Sequence, residues 1–153
     1  MTGPIERIDR GPRRVALRAR VNTDAHELFE ILANPHRHHE ADGSGTVKPL
    51  VIGPRELQTG DRFRVDMKMR GIPYAITSTA TEVVPDRVVE WQHPGKHRWR
   101  WEFEPQDDGS TLVTEVFDYS PSRGARLLER LKRIEANAGN IRASLAKLQQ
   151  RYA

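Results

Sequence analysis

The hydrophobic period of this chain changes twice, and the order of those changes admits few folds. Between residues 62 and 119 apolar side chains recur at every second position, and between 125 and 150 at every third or fourth. The two-residue period is cleanest in HRWRWEF, where Trp99, Trp101 and Phe103 alternate with Arg98, Arg100 and Glu102. Successive side chains of a strand point to opposite faces of a sheet, so one face here carries three aromatic rings and the other carries charge. Phe63, Val65, Met67 and Met69 alternate in the same way with Arg64, Asp66, Lys68 and Arg70. Rows of such bulk either cover a broad core or line a hollow that an apolar molecule enters.

In the tail, Leu127, Leu131, Ile134, Ala138, Ile141, Leu145 and Leu148 are spaced four and three apart in turn, one apolar stripe with Arg and Lys on its back. As a single helix, residues 125–150 run roughly 39 Å at about 1.5 Å per residue. Ala138-Gly139 marks the expected place for a bend, because mid-helix glycine costs about 1 kcal/mol relative to alanine.

Upstream, Val15, Leu17, Ala19 and Val21 alternate with arginines as a half-buried strand over 13–21. Asn22-Thr23-Asp24 then offers N-cap oxygens to a helix in AHELFEILAN, whose Leu28, Ile31 and Leu32 share a face. Pro35 stops it by pushing its predecessor out of the α region. The segment HRHHEADGSG has room for one more helical turn before its glycines. Further strands are predicted at 46–52, 62–70, 73–84, 87–93, 97–105 and 111–119, punctuated by Gly53-Pro54, Val84-Pro85-Asp86 and Asp107-Asp108-Gly109. Residues 1–12, broken at Gly3-Pro4 and Gly11-Pro12, read as a flexible N-terminal arm, and 13–153 as a single domain.

The expected class is α+β: a curved antiparallel sheet of about seven strands around a long C-terminal helix, with one or two short helices after the first strand. A helix about 10–12 Å across cannot fill the concave side of such a sheet, which leaves a space between the two.

Cysteine is absent, which excludes disulfides, thiolate zinc sites and a cysteine nucleophile from this chain. No apolar run approaches the roughly 18–20 residues of a membrane span. The opening MTGPIERIDRGPRR has charge with no apolar segment behind it, so no secretory leader is expected and a cytoplasmic location is. Of the 25 Lys and Arg, six fall in residues 1–20 and eight in 121–153, each against two acids, around an acidic middle. Basic ends of this kind are ordinarily solvated helix faces, and they also suit an anionic partner. Nucleic acid is disfavoured, because the aromatics lie apart from the basic ends and no RNA or DNA motif is present.

The stretches HELFEILANP, DGSGTV, GDRFRVDM, VVEWQHPGKHRWRWEFEP and GSTLVTEVFDYS, with the closing long helix, resemble the START-like SRPBCC superfamily, in its polyketide cyclase/dehydrase branch. The resemblance covers about residues 13–150. It implies a helix-grip fold, in which the sheet wraps the C-terminal helix and encloses a cavity for an apolar or amphipathic molecule. It leaves the occupant open, since relatives carry lipids, bind hormones or quinones, cyclise polyketides or assist chaperones.

On that fold the expected wall residues are Met67, Met69, Tyr74, Ile76, Trp91, Trp99, Trp101 and Phe103 from the strands, with Ile134, Ala138 and Ile141 from the helix. His93 and His97 share phase with Trp91 and Trp99. With Tyr74 they are the candidates for acid–base chemistry, and Tyr119 is a further phenol. The rival expectation places His93 wet at a hairpin mouth. Glu115 is in phase with Val113, Phe117 and Tyr119; if it points inward it needs a partner such as an arginine. On a helix His36 would share a face with Glu40 or His39 and could hold a metal, but no HExxH-type spacing is present and two glycines follow, so His36, His38, His39 and Glu40 read as a polar lid or loop, and Asp42-Gly43-Ser44-Gly45 as a tight turn. No metal and no cofactor are expected. The functional expectation is a carrier or sensor that binds a lipid-, quinone- or polyketide-like molecule, as a monomer or homodimer. The alternatives are a cyclase/dehydratase-type enzyme and, more weakly, an anionic-partner binder acting through the basic helix.

Overall fold

Eight strands pair side by side, every neighbour antiparallel. In chain order they are β1 (Glu6–Ile8), β2 (Arg14–Val21), β3 (Val47–Ile52), β4 (Arg62–Met69), β5 (Ile72–Val84), β6 (Val88–Gln92), β7 (Arg98–Pro105) and β8 (Thr111–Asp118). Their order in the sheet is β1-β2-β8-β7-β6-β5-β4-β3, so β3 to β8 form a meander and only β2 is placed by a long-range return. The helices are α1 (Ala25–Leu32), α2 (His38–Ala41), α3 (Ala125–Arg130) and α4 (Arg133–Arg151), with a 3-10 turn at Pro35–Arg37. The computed structural model describes residues 3–45 and 47–153; the side chains of residues 47–50 and 69 lie outside that description. The predicted wall residue Met69 is among these, and so is Thr46, the first residue of a predicted strand.

The local signals act as their chemistry dictates. Asp24 caps α1, its Oδ1 accepting from Glu27 N at 2.8 Å. Asn34, held extended by Pro35, ends that helix and accepts from His36 N at 3.0 Å. Strand boundaries fall within a residue or so of the two-residue period, and left-handed Arg13, Arg70 and Asp86 stand at strand ends.

Two expectations are corrected. The arm at 1–12 contains β1, three residues paired in register with β2 (Arg7 opposite Leu17), too short for a period to show. Arg10 holds it further with two hydrogen bonds of 2.8 Å to Glu102. The C-terminal helix breaks at Lys132, whose φ of 56° is left-handed, and not at Gly139. Leu127 and Leu131, ahead of the break, are 58% and 60% exposed.

The core lies between the β2–β8 side of the sheet and α4, with α1 closing one end. Ala138, Ile141, Leu145 and Leu148 of α4 meet Leu17, Val113 and their neighbours there. Eight strands at about 4.8 Å spacing make a sheet roughly 34 Å wide, several times what one helix covers. The inner face of β4 to β7 is only partly packed: Phe63, Ala80, Val89 and Phe103 join the core, with α1 against β6 and β7, and the remainder borders open space. Among the described residues no helix is long and apolar enough to cross a membrane.

Candidate functional site: a two-faced cavity

That part of the sheet bounds a half-open cavity of about 730 Å³, bordered on its other side by α2, the loop that follows it, and α4. Small-molecule sites are typically about 300–1,000 Å³. The sheet wall is aromatic and apolar: Phe63, Val65 and Met67 of β4, Ile76 of β5, Trp91 of β6, Trp99 and Trp101 of β7, and Phe117 of β8. Register explains the gathering, because Trp91 pairs with Trp99 and Trp99 with Phe117 across consecutive strands. Trp99 and Phe117 lie 4.8 Å apart, centroid to centroid. All 3 tryptophans of the chain line this one space.

The opposite wall is polar. Arg133, Asn137, Asn140 and Ser144 recur four, three and four residues apart on α4 and face the cavity, beside Ala136 and Ile141. Here the sequence expectation fails in part. Of the three helix residues proposed for the wall, Ile141 lines the cavity, while Ala138 and Ile134 belong to the core. The apolar stripe binds the helix to β2. The neighbouring polar stripe is the one that looks into the hollow. Phe103 is also displaced, 2% exposed in the core at the end of β7 that α1 covers. Tyr119 stacks on Phe117 from outside the lining, its hydroxyl 3.5 Å from Glu129.

His93 and His97 close the β6–β7 hairpin, His93 N donating to His97 O at 3.0 Å, and both are part-buried and line the cavity. His97 Nε2 lies 3.0 Å from His93 Nδ1, so one ring donates a proton to the other's lone pair. Burial, with His97 adding, pushes His93 down to about 3, and burial lowers His97. Both are neutral imidazoles at neutral pH. Tyr74 reaches the same space, its phenol raised by burial with the Arg133 charge opposing.

The histidine-rich segment does more than cover a loop. His38 is 7% exposed and stacks on Trp91 at 4.6 Å, with its Nε2 2.7 Å from Leu32 O. A carbonyl only accepts, so Nε2 carries the proton and Nδ1 is the free acceptor. Burial pushes His38 down to about 4. His36 Nε2 meets Gly53 O at 2.9 Å, and Glu40 pairs with Arg37 and Arg151. Among the described residues no three His, Cys, Asp or Glu side chains gather to hold a metal. The Asp42–Gly45 turn forms as expected, with Asp42 Oδ1 accepting from Ser44 N at 3.1 Å.

Glu115 points inward, an orientation that phase alone left open. It is 6% exposed and lines the cavity, yet no described residue hydrogen-bonds to it. Burial, with Asp42 adding, pushes its carboxyl well above the usual carboxylate range. Ser78, at 2% exposure, is a further polar group of the lining that no sequence pattern marked. A second, shallower hollow of about 450 Å³ lies beside α3, edged by Arg13, Arg123, Arg126 and Arg130, where the basic ends of the chain converge.

Comparison with known proteins agrees with this geometry. Residues 12–153 match the family described as polyketide cyclase / dehydrase and lipid transport. "Uncharacterized protein Rv0088" of Mycobacterium tuberculosis strain H37Rv is 45% identical over 150 residues, covering 95% of this chain and 67% of that one. The fold is shared with protein Ms6760 of Mycobacterium smegmatis (TM-score 0.71, 16% identity, 98% of this chain and 96% of that one). It is shared likewise with a protein of Arthrobacter aurescens (TM-score 0.71, 13% identity, 96% and 91%). With its START-like sheet, its closing helix and a family match over almost its whole length, this chain belongs to the polyketide cyclase/dehydrase and lipid transport family.

Proposed function

We propose that the protein holds one small apolar or amphipathic molecule, of lipid, quinone or polyketide type, between the sheet and α4, as a carrier or sensor. The observation that carries this reading is the convergence of three tryptophans and two phenylalanines on a cavity of about 730 Å³ that the core does not use. Aromatic faces and the Met67 thioether accept apolar ligands of varied outline. A cytoplasmic protein, monomeric or homodimeric, with its ligand-binding domain over 13–153, goes with this reading.

Native mass spectrometry of freshly purified protein tests it, together with a thermal-shift screen of fatty acids, quinones and aromatic polyketides. A ligand at a hundredfold its Kd adds about 2.7 kcal/mol, which is roughly 5–11 °C in Tm for a chain of this size. No retained adduct, and no shift with any of the three classes, defeats the proposal.

The hydrogen-bonded His93–His97 pair favours a second reading, an enzyme of the cyclase/dehydratase kind. A neutral imidazole can take a proton from carbon next to a carbonyl. When the carbon–oxygen bond then breaks, the departing hydroxyl takes up that proton and leaves as water. The pair would supply both transfers, and the cavity would fold the substrate into position. Turnover of a linear polyketide that survives unchanged in both His93→Ala and His97→Ala rules out this role.

A further inference from the structure

Glu115 stands between two apolar cross-strand neighbours, Leu17 on β2 and Trp101 on β7. It is 6% exposed, and its Oε1 is buried with no hydrogen-bond partner among the described residues. An arginine opposite would have made it a structural ion pair. The charge that acts on it is instead of its own sign, from Asp42 at the edge of the same cavity. An unpaired carboxylate in such a place is costly, and holding a proton is the cheap resolution. The group then presents an O–H to the cavity with no described residue placed to receive it. Across the hollow, Asn137 and Asn140 are turned inward, and neither side chain hydrogen-bonds to another described residue.

We propose that the Glu115 carboxyl is a hydrogen-bond donor to a carbonyl or hydroxyl oxygen of the cavity's ligand, which is therefore an oxygenated, otherwise apolar molecule and not a plain hydrocarbon. This rests on the reading of the cavity as an apolar-ligand site and adds where the ligand's oxygen goes. The apolar body lies against Trp91 and Trp99, one oxygen meets Glu115, and further oxygens on the other edge meet the Asn137 and Asn140 amides, which both donate and accept. The Asp42 charge disfavours a carboxylate at the Glu115 end.

Fluorenone and fluorene share a tricyclic body and differ by one carbonyl, and quenching of the three cavity tryptophans reports the binding of each. Wild-type protein is expected to prefer fluorenone by about tenfold or more, equivalent to about 1.4 kcal/mol. Glu115→Gln, whose amide still donates, keeps a preference. Glu115→Leu brings the two affinities together while fluorene still binds. The infrared carbonyl stretch of bound fluorenone should move down in wild type and not in Glu115→Leu, a readout independent of affinity. Equal preference and an equal stretch in wild type and Glu115→Leu overturn the assignment of Glu115 alone. Failure of both ring systems to bind wild type overturns the apolar-ligand reading, and the anchor with it.

Discussion

Gly43 N donates to Ser144 Oγ at 3.0 Å, and the glycine lies so close to α4 that a Cβ on it would stand 2.4 Å from Ser144 N and 2.3 Å from Ala143 C. The loop that roofs the cavity is thus pressed backbone to backbone onto the helix. Lys147 Nζ fastens the same loop through the carbonyls of His39 and Asp42 at 2.8 and 3.0 Å. Gly43→Ala forces loop and helix apart, an overpacking cost of about 2 kcal/mol. That should lower Tm by roughly 4–8 °C. Ser144→Ala, which removes one hydrogen bond, should cost about half as much. A Gly43→Ala melting curve that overlays the wild type would mean the contact is looser than described.

Acid should destabilise the ligand-free protein before its carboxylates titrate. His38 is held neutral at about 4 and His93 at about 3, against 6.5 when unfolded. The unfolded chain binds these protons first, so stability is full above pH 6.5 and is lost as pH falls toward 4. For buried His38 the loss is on the order of 3 kcal/mol. Between pH 7.5 and 4.5 the urea midpoint of wild type should fall relative to that of His38→Gln, a comparison in which the opposing Glu115 contribution cancels. An unchanged slope in that variant assigns the acid sensitivity elsewhere.

Glu115 acts with the opposite sign. Its folded carboxyl titrates well above 4.5, so its contribution is full below that pH and is lost as pH rises and the unfolded chain ionises. Glu115→Gln should therefore stabilise the empty protein at pH 8 and have little effect at pH 4.5. The charged groups facing the same cavity (Asp42, Arg70 and Arg133) remain in the variant, so the difference between the two pH values isolates Glu115. Destabilisation at both would indicate a structural partner for the carboxyl.

Lys132 distinguishes a broken helix from a continuous one by sign. In the left-handed conformation a lysine is disfavoured, and Lys132→Gly should stabilise by up to about 1 kcal/mol. Within an unbroken helix the same change would cost about 1 kcal/mol. Chemical denaturation of the one variant decides between the two geometries.

Strands β2 to β8 and the capping of α1 were legible because period, proline and N-cap chemistry act locally, whereas β1 is too short to show a period and the placing of β2 beside β8 is a long-range pairing. The meander could be read from its turn residues, and the inward face of β7 from Trp99 and Trp101 alone. Three further features were not legible. The break at Lys132 leaves no local mark, because the left-handed residue there is a lysine and not a glycine. The inward turn of Glu115 depends on its pairing with Leu17, a residue 98 positions away. The burial of His38 depends on Trp91, brought over it by the sheet and not by any neighbour in sequence.

The two stripes of α4 divide labour in a way that bears on evolution. Ala138, Leu145 and Leu148 fasten the helix, whereas Asn137 and Asn140, one or two positions along, hold nothing in place. Exchanges at those asparagines would redraw the polar side of the hollow at little expense to folding, so that surface is free to vary while the scaffold beneath it stays the same.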